Sequence, residues 1–377
     1  MTHSRRSILA GVGAAVLAST LGPLPAFAAD PLVIGVFGPM TGERSALGLR
    51  FREAVEMFID EKNAAGGIAG RPLEALIEDS RGVPREAANI AQKFADNPDL
   101  LVVIGCQTST ESMAAGPILA EAHIPQIAPT AGHPDYVKIS PYQFRTTPTH
   151  PSMVEPHVKM LVDRLGMTKI AIVYFKDDWG LITNEMVSKR LKEMGIDVVL
   201  SEAMIPETRD FRPLITKIKA SGADGVFLAS HYAESALFMQ QLRQADPALK
   251  VAATDTLNDP KFIELAGPAS EGVVMPTPFQ PLAPQAKAFT EAYEKRFGKL
   301  PNYYSAFTYD AMLIATSAME ALAAKGEPIT RDALRAQIAD GPAIEGVSGT
   351  LKYQGSGDLG PREVNYIIVK DGAYAPY

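Results

Sequence analysis

The sequence predicts an α/β protein of two lobes, each built on a parallel-type sheet. Three observations carry this. Strand-like and helix-like runs alternate along nearly the whole chain, as parallel sheets with crossover helices require. The series restarts after residues 142–148, an extended, proline-containing segment without helical periodicity. At 377 residues, 46% hydrophobic and 21% charged, the chain is too long for one ordinary domain and apolar enough to bury two cores.

The elements follow in order. Residues 32–37 form a Val/Ile-rich buried strand that stops at the Gly38-Pro39 loop. Phe51, Ala54, Val55, Phe58 and Ile59 then fall at i, i+3, i+4, i+7 and i+8, the core stripe of a helix. Gly66-Gly67 ends it, glycine being suited to a left-handed C-cap. A strand over 73–77 and a helix over 84–95 follow, with Pro84 in the favoured first turn. Strands at 101–104 and 125–128 bracket a helix reaching about residue 122.

The second series has strands at 170–174, 197–201, 225–229 and 251–253, with helices at 151–165, 184–194, 211–220 and 233–245. Residues 273–284 read as a return connection. Three helices (285–297, 303–324 and 330–339) and strands at 349–353 and 364–369 close the chain.

Residues 1–28 read as an address. Paired Arg5-Arg6 precede an apolar stretch, and Ala26-Phe27-Ala28 offers a cleavage site after Ala28. The run Ser4-Arg5-Arg6-Ser7-Ile8-Leu9 resembles a twin-arginine export signal, although Ile8 and Ala10 depart from it. No cysteine follows for a lipid anchor, and no later stretch reaches the ~18 apolar residues of a membrane span. The expected location is a bacterial periplasm. Cys106 is the single cysteine, so no intramolecular disulfide can form and the thiol reads as a small apolar filler.

Residues 101–136 concentrate the candidate chemistry. A buried strand ends at Gly105, Thr108, Ser109, Thr110 and Ser112 open a helix, and a second short strand ends at Pro129-Thr130-Ala131-Gly132-His133. In an open parallel sheet, ligands bind beyond the carboxyl ends of strands, and free N–H groups at a helix start attract anions. The stretch therefore reads as half of a small-molecule cleft, with Thr108, Thr110 and Ser112 assigned to helix capping. A net charge of -7 argues against a nucleic-acid binder, which needs basic excess.

The pattern resembles the branched-chain amino acid binding proteins of ABC importers, the type I periplasmic solute receptors. The likeness rests on residues 34–42 (IGVFGPMTG), 63–73 (NAAGGIAGRPL), 103–105 with Ser109, 144–146 (FRT), Asp178-Trp179-Gly180 and 303–310. The resemblance implies two Rossmann-like lobes joined by a three-crossing hinge and closing over a ligand. It also implies a monomer that delivers its solute to an inner-membrane ABC permease. Lobe 1 is expected to comprise 29–147 plus 277–350, and lobe 2 148–276 plus 351–377.

By the same resemblance, Ser109 is the first-lobe hydroxyl and Thr130 offers its backbone to the ligand. Where relatives carry Ser or Thr two residues on, this chain has Gly132. Trp179 takes the place of an aromatic wall, Tyr232 that of a cleft tyrosine, and Asp255 that of the acid facing an ammonium. Met40 completes the set. His133 and His231 flank Gly132 and Tyr232; an imidazole there could replace the missing hydroxyl or bind an amine-free acid. Gln107 could reach the ligand or bond its own loop.

The expected ligand is a branched-chain or other apolar amino acid, the alternative an aromatic carboxylate or an amide. A ligand sensor on the same fold is a further alternative. An enzyme is not expected: there is no GxSxG elbow, no phosphate-binding P-loop and no GxGxxG after a strand. No metal site is expected, since no His/Cys pair has ligand spacing, and no cofactor.

Overall fold

The computed structural model describes residues 30–360 and 362–377; the export signal expected in residues 1–28 lies outside them. The chain starts with β1 (Leu32–Gly38), α1 (Ser45–Ala64), β2 (Leu73–Asp79), α2 (Pro84–Ala95), β3 (Leu100–Ile104), α3 (Ser109–Glu121), β4 (Gln126–Ala128) and β5 (Gln143–Arg145). These strands form one all-parallel sheet in the order β2-β1-β3-β4-β5. β1 is buried along its whole length and β3 nearly so. Helices cover both faces of such a sheet, so its central strands read as unbroken apolar runs.

The second series comprises α4 (His150–Lys159), β6 (Lys169–Phe175), α5 (Asp178–Glu193), β7 (Asp197–Met204), α6 (Arg212–Ala220), β8 (Gly225–Ala229), α7 (Tyr232–Ala245), β9 (Lys250–Ala253), α8 (Pro260–Ala266) and β10 (Val274–Thr277). The chain then returns through α9 (Lys287–Phe297), α10 (Tyr303–Ala324), α11 (Arg331–Asp340) and a small hairpin, β11 (Ile344–Gly346) and β12 (Gly349–Leu351). It ends with β13 (Asn365–Lys370) and β14 (Ala373–Pro376). The second sheet runs β14-β13-β10-β9-β8-β6-β7, parallel except for β13 and β14. The chain passes between the sheets after β5, after β10 and after β12.

Helix α10 ties the two halves together. Met312, Ala315 and Met319 pack with Ile34, Val36 and Val102 of the first sheet. Its opening residues, Tyr303, Tyr304 and Phe307, join the core containing Val226, Leu228 and Val251 of the second. The same seam holds a buried ion pair, Arg50 Nε to Asp259 Oδ2 at 3.3 Å. Asn302 Nδ2 donates to the same carboxylate at 2.8 Å.

Four details differ from expectation. α5 starts at Asp178 instead of residue 184, because Asp177 caps it by accepting the Gly180 N–H at 2.8 Å. The helix expected over 151–165 turns into a π-helical segment at Met160–Arg164. Residues 274–277, expected in the return connection, form β10, and Thr277, expected in the first lobe, still pairs with Asn365 in the second sheet. Residues 351–358, expected in the second lobe, stay on the first: Arg145 N–H donates to Gly357 O at 3.0 Å and Tyr353 O–H to Arg145 O at 3.2 Å. Leu351 and Tyr353 are buried there with Phe144, and that apolar burial decides the placement.

Candidate functional site

A cavity of about 50 Å³ lies between the carboxyl ends of the two sheets. A single water needs roughly 10–15 Å³ by this measure, so the space suits a small solute. From the first lobe come Gln107 and Thr108, between β3 and α3, Ser109 at the start of α3, and Thr130 and Gly132, after β4. Trp179 on α5 and Asp255 after β9 face them from the second.

The first wall is held from behind. Thr108 caps α3 by accepting the Glu111 N–H at 3.2 Å, and its hydroxyl donates to Glu111 Oε2 at 2.7 Å. The buried Glu111 carboxylate also accepts from Ser80 Oγ at 2.6 Å and Cys106 Sγ at 3.1 Å. Burial pushes the Cys106 thiol well above its ordinary value, and Glu111 pushes the same way. Ser112 donates to Thr108 O at 2.9 Å. Ser109 Oγ accepts the His133 N–H at 3.2 Å, which leaves the hydroxyl proton without an acceptor among the described residues. Thr130 Oγ1 donates to Gln107 O at 2.7 Å, joining the two loops.

On the opposite wall, Gly180 lets α5 spring directly from β6. A Cβ there would lie 2.0 Å from Phe175 O, so no other residue could bring Trp179 to this position. Asp255 is part-exposed, and no side-chain partner for its carboxylate occurs among the described residues; burial raises it to about 7. Asp177 accepts from His231 Nε2 at 3.3 Å. Burial alone would raise that carboxyl, but the His231 contact and the Gly180 N–H outweigh it and the net shift is downward.

Three candidate residues lie off the cavity wall. Met40 is buried beside the Asp79 carboxylate, which accepts its N–H at 2.8 Å and fixes the loop after β1. His133 turns its ring outward enough for Nδ1 to accept the Asp135 N–H at 3.1 Å. Tyr232 donates its hydroxyl to Glu43 O, so it bridges the lobes at the mouth of the cleft, beside the Arg209–Glu43 ion pair at 2.5 Å. Its hydroxyl is committed to closure contacts.

The sequence reading missed a set of helical residues. His150, Met153 and His157 on α4, Thr183 and Met186 on α5, and Tyr303 and Tyr304 at the start of α10 all line the cavity. A signal existed: His150, Met153, Val154 and His157 recur at i, i+3, i+4 and i+7, one stripe of a helix. Two histidines on such a stripe mark a face packed on something polar. Gln107 Oε1, both ring nitrogens of His150, His157 Nε2 and Thr183 Oγ1 have no hydrogen-bond partner among the described residues. Buried polar atoms are almost always paired, so this concentration around one cavity is the mark of a site that pairs with a polar solute. Among the described residues, no three His, Cys, Asp or Glu side chains are grouped to hold a metal.

Burial pushes His157 down to about 4, where it packs on the Phe227 ring at 5.2 Å. A base depressed in the folded state binds fewer protons there than when unfolded. Its stabilising contribution is therefore complete above about pH 6.5 and lost as pH falls toward 4. His157→Phe should flatten the loss of stability between pH 6.5 and 4 by about 3 kcal/mol at most. Urea titrations at stepped pH would show this, and an unchanged slope would count against it.

A family model for periplasmic binding proteins matches residues 31–370. The chain belongs to the periplasmic binding protein family. It is 28% identical, over 98% of both chains, to Leu/Ile/Val-binding protein homolog 1 of Brucella melitensis. Its fold superposes on a leucine-binding protein from Thermotoga maritima with a TM-score of 0.84 and 25% identity, covering 92% of this chain and 97% of that one. A solute-binding protein of an ABC transporter from R. palustris, solved with benzoate, shares the fold at TM-score 0.82 and 20% identity, covering 92% and 95%. The family's members bind solutes and are not enzymes.

Proposed function

We propose that this periplasmic binding protein is the soluble receptor of an ABC importer and captures an apolar amino acid by closing its two lobes. The observation that carries this reading is Asp255. Among the described residues it is the only Asp, Glu, Lys or Arg on the cavity wall, and a lone acid without a cation suits a ligand that brings its own ammonium. Across the cavity, Ser109 offers a neutral donor at the start of α3, suited to the carboxylate of the same zwitterion. Trp179, Met153 and Met186 supply apolar walls. Ligand-stabilised closure follows from differential affinity for the closed state. The family and the leucine-binding relative support the class, and the twin-arginine-like run expected to act as an export signal in residues 1–28 fits a periplasmic site of action.

A second reading has one observation in its favour. His150, Trp179 and His231 form a row of rings 5.5–6.2 Å apart on the cavity wall, a surface for an aromatic acid without an amine. A thermal-shift screen followed by calorimetry separates the two. Leucine, isoleucine, valine or phenylalanine should raise the melting temperature and bind in the micromolar range or tighter. Binding of benzoate with failure of all four amino acids would overturn the amino acid reading.

A further inference from the structure

We propose that His150 is a ligand-recognising side chain, taking the role left open by the absence of a side chain at Gly132, and that the two positions work as one unit. This deepens the reading of the cleft as a solute site and applies to the carboxylate of either an amino acid or an aromatic acid.

Space gives the first argument. A Cβ on residue 132 would lie 2.7 Å from His150 Cδ2 and 2.8 Å from its Nε2, closer than real contacts allow. Any residue other than glycine must displace the imidazole, so the ring occupies the volume that a serine or threonine would claim. Backbone geometry makes that placement firm. The His150 N–H donates to Gly132 O at 3.0 Å. Thr149 caps α4 by accepting the Ser152 N–H at 3.3 Å, which fixes His150 as the first residue of the helix.

Polarity gives the second argument. His150 is 8% exposed, lines the cavity, and has no partner on either ring nitrogen among the described residues. Its ring sits edge-on to His133 from the first lobe and to Trp179 from the second, each 6.2 Å away. Neither neighbour satisfies a nitrogen. Burial, reinforced by His133, Arg145 and His157 and opposed by Asp177, keeps the imidazole uncharged. A neutral imidazole has one donor and one acceptor, as a hydroxyl does. It can donate to a ligand carboxylate without carrying a formal charge into the closed cleft. Its position on the first crossing between the sheets also gives the ligand a contact on the hinge itself.

The test uses the full chain, with L-leucine and benzoate as probes, in four forms: wild type, Gly132→Ser, His150→Ala and the double variant. The tighter-bound probe should lose roughly 10- to 100-fold in Kd with His150→Ala, the usual range for a hydrogen bond to a charged group. Gly132→Ser should weaken it by at least about 10-fold through crowding. The double variant, with a hydroxyl restored and the ring removed, should bind better than either single variant. Melting temperatures without ligand should show the same coupling, with Gly132→Ser costly in wild type and nearly neutral beside His150→Ala.

Wild-type affinity in His150→Ala, or a double variant as weak as the product of its parents, would overturn the proposal while leaving the receptor reading intact. If neither probe binds wild type, the carboxylate role of His150 and the proposed function fail together. The melting data would then still report whether the two positions are coupled.

Discussion

Asp255→Asn should weaken leucine binding by roughly 30-fold or more, and at pH 8 it should also make the empty protein more stable. The first effect follows from removing one member of an enclosed charge pair, which costs about 2–5 kcal/mol. The second follows from linkage. Burial raises the Asp255 carboxyl to about 7, so the folded protein holds a proton that the unfolded chain releases near pH 4. Such a group contributes most to stability below the unfolded value, and its contribution declines as pH rises through 7. Above pH 7 the empty cleft carries an unpaired ion, which a neutral amide relieves. The side chain keeps some contact with the cavity, so roughly 1–2 kcal/mol of relief is expected instead of the full shift. Calorimetry and thermal melts at pH 8 give both numbers. An amine-free acid should lose far less affinity than leucine; equal losses would remove Asp255 from the ammonium role.

Arg145→Met should lower stability by about 3–5 kcal/mol, the range for breaking a buried ion pair on one side. The guanidinium is fully buried. Its Nη1 donates to Ala131 O at 2.7 Å and to His133 O at 2.8 Å, bracketing Gly132. Its Nε lies 2.6 Å from Asp358 Oδ1, on the third crossing between the sheets, and its Cζ lies over the Tyr136 ring, 5.6 Å from the centroid. Methionine fills much of the volume but leaves two carbonyls and a carboxylate unpaired. The loop that presents Gly132 should loosen with them, so ligand affinity should fall as well. Asp358→Asn should cost less, because the amide oxygen still accepts from the guanidinium and Arg145 keeps both carbonyl partners. Urea unfolding decides the matter; a loss under about 1 kcal/mol would show that Arg145 is dispensable.

Much of the architecture was legible because central strands of parallel sheets are written as apolar runs. β1, β3 and β8 each appear as such a run. The elements that escaped are those whose form is decided elsewhere. β14 has the sequence AYAP and pairs only because β13 presents an edge to it. The first turn of α5 lacks an apolar period and exists because Asp177 caps it.

The site divides the same way. Gln107, Ser109, Thr130, Gly132, Trp179 and Asp255 follow strand ends closely, and chain position alone brings strand-end loops to the cleft. Tyr232 also follows a strand, yet its direction is set by Glu43 of the other lobe, which no local pattern encodes. His150, His157 and Tyr304 come from helices at the hinge, where a stripe facing a cavity has the same spacing as one facing a core. Only the histidines on that stripe distinguish the two.

The buried Cys106 has a practical consequence. Its sulfur is enclosed with Glu111 and Ser80, and burial keeps the thiol protonated; the reactive species toward alkylating dyes is the thiolate. The native chain is thus chemically silent to maleimides while folded. Cysteines introduced singly at exposed positions on the outer helices of the two lobes can then carry a donor and an acceptor fluorophore with no need to remove the natural one. The distance between the lobes becomes readable in solution, in the unmodified cleft.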